Sequence, residues 1–433
     1  MIPTFARLNS RIGRNAAVKL GSEVAGRAAS LALLLLAARR LGASAFGLYN
    51  YGIALGFVVT QLADLGLQML VAREVARQGK AAQPLVRAAL QLKMLLSLGV
   101  VLLLGWLAAG YDGSIRLALF GLGLMMLAQT YLEFAAYVFR GQQRLVVEAR
   151  LLTAARLAIA VTGGLVLLFG GGLLALALSS LLAVSVTVAW AFAQLYRAGW
   201  LAEGRAPVPY GPLLRQALPL GLAIFLSIAY TRLAVLLLQS RGGELLVAQF
   251  SAAHRLVEPG QILPASLLAA VFPAYAYALP ADPTGARRLA WRAALLLAGI
   301  GLMVALGFLL LAPWLVPLLY GSAYGDAIPV LQLLGFSTIP AFVNYSLTHY
   351  LIAQGRQALL GYFMGAMLVL HAGLSWLLIP RLGAGGPAVS ILVAEMLLLI
   401  CCLGALRRTA PLVDHVKTPD AAESDPARAP ATL

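Results

Sequence analysis

Charge is what this 433-residue sequence has least of: 11% of its residues are Asp, Glu, Lys or Arg, against 61% hydrophobic ones. A water-soluble chain carries roughly a quarter of its residues as charges, so an ordinary soluble domain is excluded. Acidic residues are the scarcer sign, 16 against 32 basic, with 4 histidines. The two cysteines, Cys401 and Cys402, are adjacent. Neighbours on a helix point in different directions and neither bridge nor chelate, so they read as packing residues. No metal-ligand spacing, nucleophile–base pair or phosphate-cradling glycine loop appears. The expectation is a protein that is not an enzyme and holds no cofactor or metal.

What the sequence has is long apolar runs, at a mean hydropathy of +0.88. A spanning helix needs about 20 mostly apolar residues. Twelve stretches qualify: 16–38, 48–71, 86–109, 114–139, 150–170, 172–196, 216–239, 247–276, 290–312, 327–353, 358–379 and 386–406. Strands of a membrane barrel would instead be about ten residues long and alternate in polarity. The fold class is therefore all-α integral membrane, with 12 transmembrane helices. No small-residue cleavage site follows the first run, so no cleavable signal is expected.

The net charge of +16 does not point to nucleic acid. With the N-terminus inside, most basic residues fall on one side, among them Arg73, Arg77, Lys80, Arg87, Lys93, Arg140, Arg144, Arg156, Arg287, Arg288 and Arg292. That is the positive-inside pattern. It predicts a multi-pass protein of the bacterial cytoplasmic (inner) membrane, with both termini cytoplasmic and the lipid bilayer as its partner. Three basic residues remain at membrane depth: Arg27, Arg232 and Arg255.

The longest inner connection, "RAGWLAEGRAPVPYGPLLR", divides the chain into two halves of six helices. The expected parts are an N-terminal lobe at 1–200, a linker at 201–215, a C-terminal lobe at 216–409 and a polar, Pro-rich tail at 410–433. "RLGASAFGLYNYGIAL" from Arg40 lies on "RGGELLVAQFSAAHRL" from Arg241 without gaps. Halves of equal orientation imply a parallel repeat, with a substrate site between them.

"ARRLGASAFGLYNYGIAL" followed by "LADLGLQMLVAREVAR" resembles the start of bacterial polysaccharide (O-antigen-type) flippases. These belong to the multidrug/oligosaccharidyl-lipid/polysaccharide exporter (MOP) superfamily. The matching residues are Leu41, Gly42, Phe46, Gly47, Tyr49, Asp64 and Gly66. "FSAAHRLVEPGQILPASLLAAVFPAYA", "LYGSAYGDAIPVLQLL" and "LIAQGRQALLGYF" resemble later segments of the same family in the same order. The resemblance implies two six-helix lobes around a central, MATE-like cavity. It also implies transport of undecaprenyl-pyrophosphate-linked oligosaccharide from the inner to the outer leaflet, with a polysaccharide polymerase as a further candidate partner.

A charge at the bilayer centre costs about 2.5–3.5 kcal/mol, so such residues face a cavity or one another. Lys19, Glu23 and Arg27 stack four residues apart on the first helix, either as a self-neutralising ladder or as the lining of a vestibule. Arg232 lies midway along the seventh helix, one turn from Ile228, the repeat equivalent of Arg27. The two arginines would enter the cavity from opposite lobes and hold a pyrophosphate, whose oxygens guanidinium groups bind bidentately. The eighth helix carries His254, Arg255 and Glu258 beside Pro259, Pro264 and Pro273. This is either a structural ion pair or a substrate or coupling site. Asp64 and Glu133 are coupling carboxylates for a proton or sodium gradient, or counter-ions of buried bases. Asn344, Thr348, His349, His371 and Glu395 read as interhelical contacts, and Gly52–Gly56 and Gly361–Gly365 as close-packing pairs. Tyr49, Tyr51, Tyr230 and Trp314 are candidate sugar-stacking aromatics or interface anchors.

Two other functions fit the composition. A cation-coupled drug or small-solute antiporter of the same architecture would want an acidic pocket, and the buried bases argue against it. A membrane polysaccharide polymerase would need a large outer loop carrying catalytic groups, and every predicted outer loop is short.

Overall fold

The computed structural model describes residues 3–201 and 209–407, with side chains from residue 21 onward. The 410–433 tail and the middle of the predicted 201–215 linker lie outside the described residues. The described chain is helical throughout, without a strand. Its helices are α1 (Pro3–Asp64), α2 (Leu67–Gln78), α3 (Gln83–Ala108), α4 (Gly113–Gly141), α5 (Leu145–Leu168) and α6 (Leu173–Arg197). They continue as α7 (Tyr210–Val257), α8 (Ile262–Ala278), α9 (Pro283–Tyr320), α10 (Ala327–Ala353), α11 (Gln357–Leu382) and α12 (Gly385–Arg407). Ten helical runs among the described residues are long and apolar enough to cross a membrane. The protein is a multi-pass membrane protein.

Two of the predicted outer loops, 40–47 and 240–246, turn out to be helical. The chain passes through each with one non-helical residue, Gly42 (φ 78°, ψ 168°) and Gly243 (φ 78°, ψ −177°). Only glycine adopts this backbone readily. The repeat register read from the sequence lays Gly42 on Gly243, so the two halves bend at the same step with the same geometry.

At 1.5 Å per residue, the 62 residues of α1 would reach about 90 Å if straight, three times a bilayer's hydrocarbon core. The neighbours show how α1 folds back. Before Gly42, Ser22 meets Thr153 and Leu33 meets Gly163, so the segment runs alongside α5. After Gly42, Gly52 meets Leu122 and Gly56 meets Met126, so the chain runs alongside α4. Because α4 and α5 are joined by a three-residue turn and run oppositely, the two segments of α1 are antiparallel.

Other breaks also differ from the expected spans. The 48–71 run is interrupted at Leu65 (φ 43°) and Gly66 (φ 85°). The 247–276 run is interrupted by a 3-10 turn at Glu258–Gln261, where Pro259 supplies no backbone N–H. Of the two glycine pairs, Gly52 and Gly56 pack tightly on α4, whereas a Cβ on Gly361 or Gly365 would meet nothing. The second pair is not a packing motif.

Exposure along α9 shows where lipid lies. Leu295, Met303, Leu310, Trp314 and Leu318 are each more than 60% exposed and share one face. Trp314 is thus an outward-facing residue at helix level, not part of a cavity.

Candidate functional site

The two halves of the chain interlock at the end that carries Gly42 and Gly243. A Cβ on Gly47 would overlap the Glu244 carbonyl, so α1 and α7 touch backbone to backbone there. The Ser44 hydroxyl donates to Glu244 Oε1 at 3.0 Å. The Tyr324 hydroxyl donates to the Ala38 carbonyl at 3.1 Å. The Arg39 guanidinium donates to the carbonyls of Leu318 and Leu319, and Gln239 Nε2 donates to the Tyr111 hydroxyl at 3.2 Å.

Away from this end the same face of α1 opens. Arg27, Leu31, Leu34 and Ala38 line up at helical spacing. Ala38 and Leu34 are buried, Leu31 is half-buried and Arg27 is exposed. The α5 contacts, through Ser22, Gly26 and Leu33, lie on another face. The gradient describes a cleft that is shut at Ala38 and open at Arg27. Across the opposite, basic end the halves meet again, where Gly66 and Leu65 press against Ala217 and Gly221 of α7 and the Tyr210 hydroxyl donates to Gln91 Oε1 at 3.2 Å.

At the cleft's closed depth lies a pocket lined by Asn50, Ile53, Ala54, Thr231, Arg232, Val235, Phe250, Ser251, His254 and Arg255. Part of its wall is repeat-equivalent: the register that lays Arg40 on Arg241 lays Asn50 on Ser251, Ile53 on His254 and Ala54 on Arg255. Chemistry has been added to one half only. The enclosed space is about 20 Å³, room for about one water, so a larger ligand requires the cleft to widen.

Glu258 gathers the basic groups of this pocket. Its Oε2 accepts from Arg255 Nη1 at 2.9 Å, while its Oε1 lies 3.8 Å from Arg232 Nη1 and 3.6 Å from His254 Nδ1. The Arg232 guanidinium also stands over the Phe57 ring at 5.2 Å. Phe57 and Glu258 are themselves repeat equivalents, so Arg232 is held between matching positions of the two halves. The buried Arg232 Nε has no hydrogen-bond partner among the described residues. Two guanidinium groups against one carboxylate leave the pocket cationic, and their N–H forks suit phosphate or carboxylate oxygens.

The structure brings Arg232, Arg255, His254 and Glu258 together. Arg27 lies on the open part of the cleft face and outside this pocket. The arginine beside Arg232 is Arg255, from its own half, and the expected meeting of Arg27 with Arg232 is not observed. Glu23 is half-buried one turn below Arg27, and the side chain of Lys19 lies outside the described residues.

Asp64 and Glu133 belong to a separate cluster. Lys93 Nζ donates to Asp64 Oδ1 at 3.0 Å, with both side chains essentially inaccessible. Lys93 also stands 5.3 Å from the Tyr131 ring centre, and the Tyr131 hydroxyl is 2.8 Å from Ser97 Oγ. Glu133 lies in the electrostatic surroundings of Asp64, Lys93 and Arg156. Lys93 corrects the topological reading: it is no surface charge at the basic end but a buried one. The signal was its place inside the apolar run "AALQLKMLLSLGV".

The lone polar residues of the second half are engaged. Asn344 Nδ2 donates to the Glu395 carboxylate and carbonyl, both at 2.8 Å. His371 Nδ1 lies 2.8 Å from Ser390 Oγ, and its ring lies beside Tyr230. Thr348 and His349 bond carbonyls of their own helix and not of a neighbour. Tyr49 is buried and Tyr51 packs against Tyr111.

A family model described as polysaccharide biosynthesis protein matches residues 12–278. A Shigella dysenteriae protein named as an O-antigen transporter is 29% identical over 199 residues, 45% of this chain and 48% of its own. The match thus spans about half the length of that curated relative. Among solved structures, the lipid II flippase MurJ in an inward closed conformation superposes with a TM-score of 0.75 at 12% identity, over 91% of this chain and 88% of its own. A multidrug resistance MATE-family transporter of the MOP superfamily, inward-facing, gives 0.67 at 18% identity, over 92% of this chain and all of its own. At these identities the two superpositions establish the shared fold.

Proposed function

Because this chain belongs to the polysaccharide biosynthesis protein family, we propose that it is a flippase for a lipid-linked oligosaccharide. Its substrate would carry the sugars on undecaprenyl pyrophosphate and move from the inner to the outer leaflet of the bacterial cytoplasmic membrane. We read α1 and α7 as two spans each, with α2 completing the second span of α1 and α8 that of α7, which gives twelve. The lobes are residues 1–200 and 216–409, and both termini are cytoplasmic. The interlocked end then faces outward and the cleft opens inward. Transport follows by rocking of the lobes about the cleft, as in alternating access between repeats.

The observation that carries this reading is the pairing of Arg232 and Arg255 in a pocket walled in part by equivalent positions of the two halves. A diphosphate is the part of such a substrate that needs two guanidinium partners. Arg27, exposed lower on the cleft face, would meet the headgroup first. The polyprenyl chain would remain in lipid while the headgroup crosses. An ion gradient, proton or sodium, would act through Glu258 or through Glu133 beside the Asp64–Lys93 pair. An antiporter for cationic drugs is disfavoured by a pocket with two guanidinium groups and one carboxylate.

The test is surface glycan display in cells carrying Arg232→Ala, Arg27→Ala or both, with protein quantified in the membrane. We expect each single variant to lower display by about tenfold or more, the scale of one lost charge-assisted contact. Lipid-linked repeat units should accumulate in the inner leaflet. Full display by the double variant would remove the arginines from the site.

A further inference from the structure

We propose that Glu258 is a built-in stand-in for the substrate's phosphate, holding Arg232 and Arg255 until the diphosphate displaces it, and that this exchange frees the hinge at the start of α8. The inference rests on the diphosphate reading above and adds a role for the one carboxylate in the pocket.

Glu258 uses both oxygens on basic groups that come from different arms of α7. Arg232 precedes the Gly243 kink, and Arg255 and His254 follow it. The carboxylate therefore ties the two arms together. Glu258 is also the first residue of the 3-10 turn Glu258–Gln261 that separates α7 from α8. Pro259 lies within this turn and Pro264 follows it, and neither can donate a backbone hydrogen bond. The ionic contact thus substitutes for backbone hydrogen bonds that the prolines deny the hinge.

Carboxylate and phosphate oxygens compete for the same guanidinium N–H groups. One carboxylate leaves two arginines under-compensated, and the orphaned Arg232 Nε is the local sign of it. A diphosphate brings more charge and more acceptors, so exchange is favourable. Glu258 is about one-third exposed and can be hydrated once released. The other titratable groups near the cluster are His254, Tyr320 of α9, Tyr49 of α1 and, beside His254, His371 of α11.

The experiment measures binding of farnesyl pyrophosphate to the full-length protein in detergent micelles by calorimetry. Variants are Glu258→Gln, Glu258→Asp and Arg232→Ala. Removing the competing charge in Glu258→Gln should tighten binding by about tenfold, on the scale of one charge-assisted contact, while lowering glycan display. Glu258→Asp keeps the charge but is too short to bridge both arginines, so it should tighten binding by a smaller factor of about three. It decides the matter should Glu258→Gln fail to fold. Wild-type binding that is lost in Arg232→Ala yet unchanged or weakened in both Glu258 variants overturns the exchange and leaves the diphosphate reading standing. No binding to wild type withdraws both.

Discussion

Lys93 and Asp64 illustrate how one side chain can fix the interior of a membrane protein. Each would be prohibitively placed alone, because an ion without a partner in a low-dielectric interior costs several kcal/mol. Together, at 3.0 Å and with essentially no exposure, they neutralise one another and pin α3 to the end of α1, while Asp64 Oδ2 has no hydrogen-bond partner among the described residues. Lys93→Met leaves Asp64 buried without its partner. We expect it to lower stability by about 3–5 kcal/mol, measured by thermal unfolding in detergent. The double variant Asp64→Asn, Lys93→Met should recover most of that loss, because no ion is then stranded. A single variant as stable as wild type would show that the pair is dispensable. Arg232 differs from Lys93 in being only partly compensated, by a carboxylate at 3.8 Å and an aromatic face, which suits a residue that must change partners.

Among the helices, the decisive elements are α1 and α7, each bent at one glycine. Around Gly42 and Gly243 a Cβ would meet nothing within 4 Å, so space does not select glycine there. The backbone does: φ of 78° with extended ψ is open to glycine and costs other residues about 1–3 kcal/mol. Gly42→Ala and Gly243→Ala should each destabilise by that amount, and by nearly the same amount as each other, in the same unfolding assay. Unequal effects would mean that the two bends are not energetic equivalents. Gly47 and Gly221 are glycines for another reason, since a Cβ at each would strike backbone across the contact between the halves, and Gly66 combines that close approach with a φ of 85°.

At the scale of the whole molecule, the proposed flippase cycle requires the interlocked end to open. Its contacts are buried apolar packing, with Phe46 against Tyr320 and Tyr324, joined by side-chain hydrogen bonds and a close glycine approach. Such a seam can part without stranding buried charges. Ser44 and Glu244 face each other across it at 3.0 Å. Cysteines at both positions, in a background with Cys401 and Cys402 replaced by serine, should crosslink on oxidation. We expect glycan display to stop in the oxidised cells and return on reduction. Undiminished display with the crosslink complete would show that this end does not open during transport.

Much of this was legible in the residues. Low charge and long apolar runs dictate membrane helices, because an unpaired backbone has no partner in lipid. The gapless overlay of Arg40 on Arg241 carried the kink register, because φ and ψ are local properties that glycine announces. The coexistence of Arg255 and Glu258 on one helix face was readable from their spacing. Which charges meet across helices was not. Lys93 counts as a surface base by sequence and is buried against Asp64 by packing, and Arg27, expected to enter the same cavity as Arg232 from the opposite lobe, lies outside the pocket that Arg232 shares with Arg255. Local periodicity determines what each segment is, whereas the pairing of residues distant in sequence depends on how helices pack, and that only the tertiary structure decides.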